Sequence, residues 1–88
     1  MDIKELIEYV AKSLVDDPSQ VHVQVFENSS ALSLELHVAQ RDMGRVIGKG
    51  GRVVNALRTL VRVAAIRHGK RASLEIVEHS AAPSRAQS

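Results

Sequence analysis

The spacing of apolar residues changes along this chain, and each spacing is typical of a different backbone structure. The first segment repeats at intervals of three and four, as one face of a helix does. Its apolar residues are Ile3, Leu6, Ile7, Val10, Ala11, Leu14 and Val15. The run Asp16-Asp17-Pro18 ends this helix, because the residue before a proline is pushed out of the α region.

From Val21 the apolar residues alternate with polar ones, which is the spacing of a half-buried strand. They are Val21, Val23 and Val25, followed by Leu32, Leu34, Leu36 and Val38. Between the two runs, Asn28-Ser29-Ser30 has the composition of a turn. The pattern predicts an antiparallel hairpin with one buried face, and places His22 opposite His37 on its polar face. Two imidazoles fall short of the three or four ligands of a zinc site, so no metal site is predicted.

Two more helices and a strand are predicted in the second half of the chain. Asp42 is placed to cap a short helix through about Val46, the glycines at 48–51 interrupt it, and a longer helix follows over 52–68. The expected core face of the long helix is Val53, Val54, Leu57, Leu60, Val61 and Ala64. After Gly69, the alternation of Ala72, Leu74 and Ile76 indicates a last strand. Residues 79–88, rich in Ala and Ser, are expected to form a disordered tail.

The order helix, strand, strand, short helix, long helix, strand predicts an α+β layer, with helices on one face of a three-stranded sheet. The chain has 88 residues, 44% of them apolar, which is enough for one modest core. We therefore expect a single domain over residues 1–78.

Composition excludes several classes of protein. The chain has no cysteine, so disulfides, thiolate nucleophiles and iron–sulfur clusters have no ligands. The first residues lack the basic and apolar regions of a secretion signal, and no apolar run is long enough for a membrane span, so a cytoplasmic location is expected. No HExxH, GxSxG or paired carboxylates appear, so we predict neither an enzyme nor a cofactor.

Charge is distributed unevenly along the chain. Residues 1–40 carry two basic and seven acidic side chains, whereas residues 41–71 carry nine basic and one acidic. A basic segment of this density suits a polyanion such as a nucleic acid, although a solvated helix surface has the same composition. Open-sheet and barrel RNA-binding domains stack bases on exposed aromatic rings. Tyr9 and Phe26 are the chain's aromatic residues, apart from histidine, and neither lies in such a motif.

The glycine cluster Gly48-Lys49-Gly50-Gly51 lies between the two later helices. A P-loop would need one more residue between its glycines and a Ser or Thr where Gly50 stands. A dinucleotide fingerprint would need glycine in place of Val53 and a strand before the loop. A tight helix–helix turn without a ligand stays open on spacing alone.

In its context, the stretch Val46-Ile47-Gly48-Lys49-Gly50-Gly51-Arg52-Val53-Val54 resembles the VIGxxGxxI signature of KH domains, with valine at 54 where isoleucine is common. The resemblance covers residues 3 to about 78. With a helix first and a single strand last, the chain looks like the type II, bacterial arrangement. It is similar to the KhpA family of small RNA-binding proteins, which are implicated in RNA metabolism and cell-envelope growth. The resemblance implies a mixed sheet in which the last strand lies beside the first and parallel to it.

The resemblance also implies a groove between the GxxG loop and the sheet edge, in which the loop clamps the backbone of a few unpaired nucleotides, as in an RNA chaperone or post-transcriptional regulator. The partner it implies is single-stranded RNA. The expected contacts are Gly48, Lys49, Gly50, Gly51 and Arg52, with Arg45 and Arg41 flanking them and Val46, Ile47, Val54 and Val38 as an apolar floor.

The long helix carries a second candidate surface. Helical projection places Ile66 on the side away from the core, bordered by Val63, with Thr59 and Arg62 nearby. We predict that this face binds a second copy of the chain or another KH protein. The alternative function is therefore a protein–protein adaptor that acts mainly through the helix at 52–68.

Overall fold

The structure is a computed structural model that describes residues 2–79. Its helices are α1 (Ile3–Leu14), α2 (Met43–Ile47) and α3 (Arg52–Ile66), and its strands are β1 (His22–Glu27), β2 (Ala31–Val38) and β3 (Arg71–Glu78). Single 3₁₀ turns occupy Pro18–Gln20, Gln40–Asp42 and Lys49–Gly51. The predicted order of elements and the α+β class are confirmed. None of the helices within residues 2–79 has the length and apolar character needed to cross a membrane.

Short-range hydrogen bonds explain where α1 begins and where the hairpin turns. The Glu5 N–H donates to Asp2 Oδ1 at 2.8 Å and the Asp2 N–H donates to Glu5 Oε1 at 3.2 Å, which is a capping box. Asn28 Oδ1 accepts from the N–H groups of Ser30 and Ala31, each at 2.8 Å. The predicted turn at 28–30 is confirmed.

The sheet has the order β1-β2-β3, with β1 antiparallel and β3 parallel to β2. The expectation that the last strand lies beside the first is therefore wrong. After β2 the chain forms α2 and α3 and then returns as β3 alongside β2, which is the crossover connection that parallel neighbours require. As a result β2 is central, and one edge of β3 has no strand partner within residues 2–79.

The core lies between the helices and the inner face of β2. The inner side chains of β2 are all buried: Leu32, Leu34, Leu36 and Val38. On α3 the buried residues are Val54, Leu57, Val61 and Ala65. The buried face of α3 differs slightly from the predicted one. Ala65 is buried in place of the predicted Ala64, and Leu60, which was predicted to lie in the core, is 38% exposed.

Asp42 has a different role from the predicted one. Its side chain makes no capping bond to α2. Instead it is fully buried, and its carboxylate accepts from the backbone N–H groups of Asp16 and Asp17, both at 3.1 Å. A buried carboxylate is stable only with such donors, so Asp42 fixes the turn after α1 against the start of α2.

β3 ends at Glu78, and the His79 N–H donates to the Val38 carbonyl at 2.7 Å. Apart from His79, the tail predicted to be disordered (79–88) lies outside the described residues.

Candidate nucleic-acid interface

The glycine loop joins α2 to α3 through backbone conformations that favour glycine. Gly48 has φ 79° and ψ 170°, and Gly50 has φ 64° and ψ 18°. A Cβ on Gly48 would lie 2.6 Å from Val53 Cγ2 and 2.9 Å from the Val53 nitrogen, so α2 can approach α3 only with glycine there. A Cβ on Gly50 would meet nothing within 4 Å. Gly48 is therefore required by packing, whereas the surface over Gly50 is open.

The start of α3 behind the loop has donors that no side chain satisfies. Gly51 is the N-cap residue, and no side chain among the described residues caps this helix. The first-turn N–H groups and the helix dipole therefore present partial positive charge toward the loop. Lys49 and Arg52 are exposed on either side of Gly50, and neither forms an ion pair within residues 2–79.

The two flanking arginines are in a different situation. Arg45 Nη2 lies 3.0 Å from Asp16 Oδ2, and Arg41 Nη2 lies 3.8 Å from Asp17 Oδ2. Arg45 Nε also lies 3.6 Å from the buried Asp42. Asp42 holds the backbone of Asp16 and Asp17, the acidic turn after α1. It therefore also positions the carboxylates of these two residues beside the arginines. A phosphate would have to compete with these carboxylates for the two arginines. The sequence did not reveal the ion pairs, because the paired residues are 24 and 29 positions apart in the chain.

The predicted apolar floor needs a correction. Val38 and Val46 have no exposed surface, and Val54 is 5% exposed. Val38 and Val46 belong to the buried core, so neither has surface with which to contact a base. Ile47, which is 36% exposed, is the predicted floor residue that is open to solvent.

The outer face of α3 is apolar where helical projection placed it. Ile66 is 64% exposed and Val63 is 52% exposed. Thr59 is exposed with its hydroxyl donating to the Asn55 carbonyl at 3.1 Å, and Arg62 is exposed on the side toward β3. Between α3 and α1, a cavity of about 260 Å³ is lined by Leu6, Leu60, Val63 and neighbouring residues.

Three of the four histidines lie close together at the outer face of the sheet. His22 and His37 are register partners, as predicted, with ring centroids 6.0 Å apart. The ring centroid of His79 lies 6.4 Å from that of His37. Glu35 Oε1 is 3.2 Å from His37 Nε2. No group of three or more potential ligands in residues 2–79 is arranged to hold a metal ion.

The order of elements, the parallel β2–β3 pair and the glycine loop between α2 and α3 together define a KH domain of the type II arrangement. A family model described as the KH domain of KhpA and KhpB matches residues 4–76. The chain belongs to this KhpA/KhpB KH-domain family.

Curated relatives agree with this assignment. The chain is 49% identical over 75 residues to the RNA-binding protein KhpA of Clostridium perfringens, covering 85% of this chain and 100% of that protein. It is 42% identical over 76 residues to the RNA-binding protein KhpA of Chlamydia trachomatis, covering 86% and 97%. Among solved structures, it is similar to Aquifex aeolicus Era bound to GDP and tetrafluoroaluminate, with a TM-score of 0.59 and 17% identity over 86% of this chain and 29% of that one. The last likeness concerns the fold alone.

Proposed function

We propose that this chain is a non-catalytic protein that binds single-stranded RNA, with the loop at 48–51 clamping the RNA backbone. The observation that carries the proposal is the open backbone at Gly50, in front of the uncapped start of α3. Lys49 and Arg52 add full positive charges that no carboxylate within residues 2–79 neutralises. The names of the curated relatives support the same function.

The proposed clamp acts through electrostatics and close approach. A phosphate oxygen over Gly50 meets no Cβ, so it can reach the N–H donors at the start of α3. Ile47 offers an exposed aliphatic surface for a base next to the loop. Because phosphate contacts dominate, we expect an affinity of about micromolar for one domain and a marked loss of affinity with salt.

Gly50→Asp tests the clamp, and Gly69→Asp is its matched control. Both glycines have left-handed backbones, with φ 64° and 67°, and both have open space where a Cβ would be added. The two variants therefore add the same charge with similar strain at opposite ends of α3. We expect Gly50→Asp to weaken binding of a labelled single-stranded RNA pool at least tenfold in fluorescence anisotropy, and Gly69→Asp to change it less than twofold.

Circular dichroism must show that both variants are folded. Equal binding by wild type and Gly50→Asp would mean that the loop is only a helix–helix turn, and the adaptor function would then take its place. In the cell, we propose that the protein acts in the cytoplasm as an RNA chaperone or post-transcriptional regulator.

We further propose that the outer face of α3 forms a homodimer, or a heterodimer with another KH protein. Ile66 is the centre of this face, with Val63 beside it and Thr59 and Arg62 at its border. The large exposed fraction of Ile66 supports the proposal, since removing a bulky apolar side chain from water is energetically favourable. Two linked loops would also bind one RNA more tightly than a single loop.

Light scattering tests the homodimer. We expect a mass of two chains for wild type and of one chain for Ile66→Asp. Tyr9→Asp is the control, because Tyr9 is equally exposed at 64% but lies on α1. A wild type that stays a single chain at high concentration would rule out the homodimer and leave the heterodimer to be tested by co-purification.

A further inference from the structure

The acidic turn after α1, Asp16-Asp17, forms ion pairs with two arginines of the segment that leads into the glycine loop. One of them, Arg45, is in α2, and the Gly48 N–H donates to the Gly44 carbonyl at 2.9 Å, so the helical turn continues into the loop. Arg45 is three residues before Gly48, which is about 5 Å along the helix axis. The acidic turn therefore acts on charge that lies next to the proposed clamp.

The contacts of Arg45 use an edge of its guanidinium group that is suited to a phosphate. Arg45 Nη2 lies 3.0 Å from Asp16 Oδ2, and Arg45 Nε lies 3.6 Å from Asp42 Oδ1. Nε and Nη2 form a fork that can bind two oxygens of one carboxylate or of one phosphate. Here the fork is shared between two carboxylates, so a phosphate can occupy it only by displacing Asp16.

The turn is held in place by its backbone. The buried Asp42 carboxylate accepts from the N–H groups of Asp16 and Asp17, both at 3.1 Å. The side chains of Asp16, Arg41 and Arg45 are exposed, and exposed ion pairs add little to the stability of a fold. A phosphate can therefore displace the carboxylates from the arginines, although the fixed turn keeps them close by.

We propose that the acidic turn is a built-in competitor of RNA, which occupies Arg41 and Arg45 and so confines the free positive charge of this surface to the glycine loop. This inference rests on the proposed function of the loop. The adjacent carboxylates cancel most of the charge of the two arginines at longer range. Binding then depends on close approach to the backbone at Gly50, and the turn makes the site selective for a strand that fits there.

Neutralising the turn tests the competition. Asp16→Asn/Asp17→Asn keeps the size of both side chains and leaves their backbone N–H groups bonded to Asp42, so the turn should be retained. Circular dichroism checks the fold. If the double variant is unfolded, Asp16→Asn alone replaces it, with half of the expected change in salt slope.

Glu5→Gln/Glu8→Gln is the matched control, because it removes the same charge from the first half of α1, away from the turn. Glu8 also has a basic partner, with its Oε2 3.9 Å from Lys4 Nζ. Glutamine at position 5 can keep the capping box. The control therefore reports the effect of net charge and of a broken surface ion pair, without releasing the arginines beside the loop.

Each protein is titrated with labelled oligouridine of ten nucleotides at several salt concentrations, and binding is followed by fluorescence anisotropy. We expect Asp16→Asn/Asp17→Asn to bind about fivefold more tightly than wild type at low salt, with a salt slope steeper by about 1.4, the value for two further phosphate contacts. The control should stay within twofold of wild type. In NMR spectra, RNA should shift the Arg45 Nε–H signal more in the variant than in wild type.

A second background separates release of the arginines from loss of repulsion. When Arg41→Gln/Arg45→Gln is already present, neutralising the turn should raise the affinity less than twofold, because the two arginines are no longer there to be released. The same gain with and without the arginines would overturn the inference, since the turn would then act by repulsion alone.

The selectivity is tested by adding Gly50→Asp to the neutralised variant. We expect it to weaken binding only about threefold there, against at least tenfold in wild type, because the released arginines still hold phosphates of the strand. An equal loss in both backgrounds would overturn the claim that the turn confines binding to the loop.

An unchanged affinity of Asp16→Asn/Asp17→Asn, or an equal gain in the control, would also overturn the inference. The loop function would stand in either case if Gly50→Asp still weakens binding by wild type. If neither wild type nor the neutralised variant binds, the proposed function and the inference fail together. Binding by the neutralised variant alone, with the arginines required, would support the inference and contradict the proposed function of the wild-type loop.

Discussion

Substitution of Gly48, the first residue of the loop, should destabilise the fold much more than substitution of Gly50. Gly48→Ala forces alanine into φ 79°, ψ 170°, a region that is almost restricted to glycine, which costs about 1–3 kcal/mol. The new Cβ would also lie 2.6 Å from Val53 Cγ2 and 2.9 Å from its nitrogen, and such overpacking adds about 1–3 kcal/mol. Lower entropy of the unfolded chain offsets about 0.4–1 kcal/mol. The net loss is about 3 kcal/mol.

Gly50→Ala meets no neighbour within 4 Å, and its φ of 64° lies in the left-handed helical region. Its strain of about 1–2 kcal/mol is partly offset by the same entropy term, which leaves about 1 kcal/mol. Urea unfolding followed by circular dichroism measures both values. With a slope of about 1 kcal/mol per molar urea, the midpoint should fall by about 3 M for Gly48→Ala and by about 1 M for Gly50→Ala.

A double variant separates the clash from the backbone strain. Val53→Ala removes Cγ2, the atom nearest to the added Cβ, but leaves the contact with the backbone nitrogen. Gly48→Ala combined with Val53→Ala should therefore be more stable than the sum of the single effects, by about 1 kcal/mol. Equal stability losses for Gly48→Ala and Gly50→Ala would refute the reasoning that Gly48 is a packing position.

Two further predictions concern acidic side chains. Asp42→Ala leaves the partly buried N–H groups of Asp16 and Asp17 without their charged acceptor, so the free energy of unfolding should fall by about 2–4 kcal/mol in urea titrations; a loss under about 0.5 kcal/mol would contradict this role. The hydrogen bond from Lys70, and then its charge, lowers the pKa of Glu27. Because the folded-state pKa is the lower one, this stabilisation is complete above the unfolded pKa and is lost as the pH falls through the folded value. The difference in Tm between wild type and Glu27→Gln should therefore shrink in acid, and a constant difference from neutral to acidic pH would contradict it.

Sequence patterns predicted those parts of the fold that depend on neighbours in the chain. The period of α1 and the alternation of β2 reflect one buried face each, and Asn28 forms its turn with residues two and three positions away. The neighbour of β3 was predicted wrongly, because strand pairing depends on how a crossover packs rather than on the strand's own residues. For the same reason Asp42 was taken for a local cap, although its partners lie more than twenty residues away.

The candidate site shows the same limit in its charges. Counting basic residues over 41–71 treats every cation as available to RNA, but the structure pairs Arg41 and Arg45 with the acidic turn after α1. Within residues 2–79, Lys49 and Arg52 beside the loop and Arg58 on the flank of α3 form no ion pair. A phosphate gains more from a cation that need not first lose a carboxylate partner. A phosphate is therefore expected to bind beside Gly50, near Lys49 and Arg52, in preference to the paired Arg41 and Arg45.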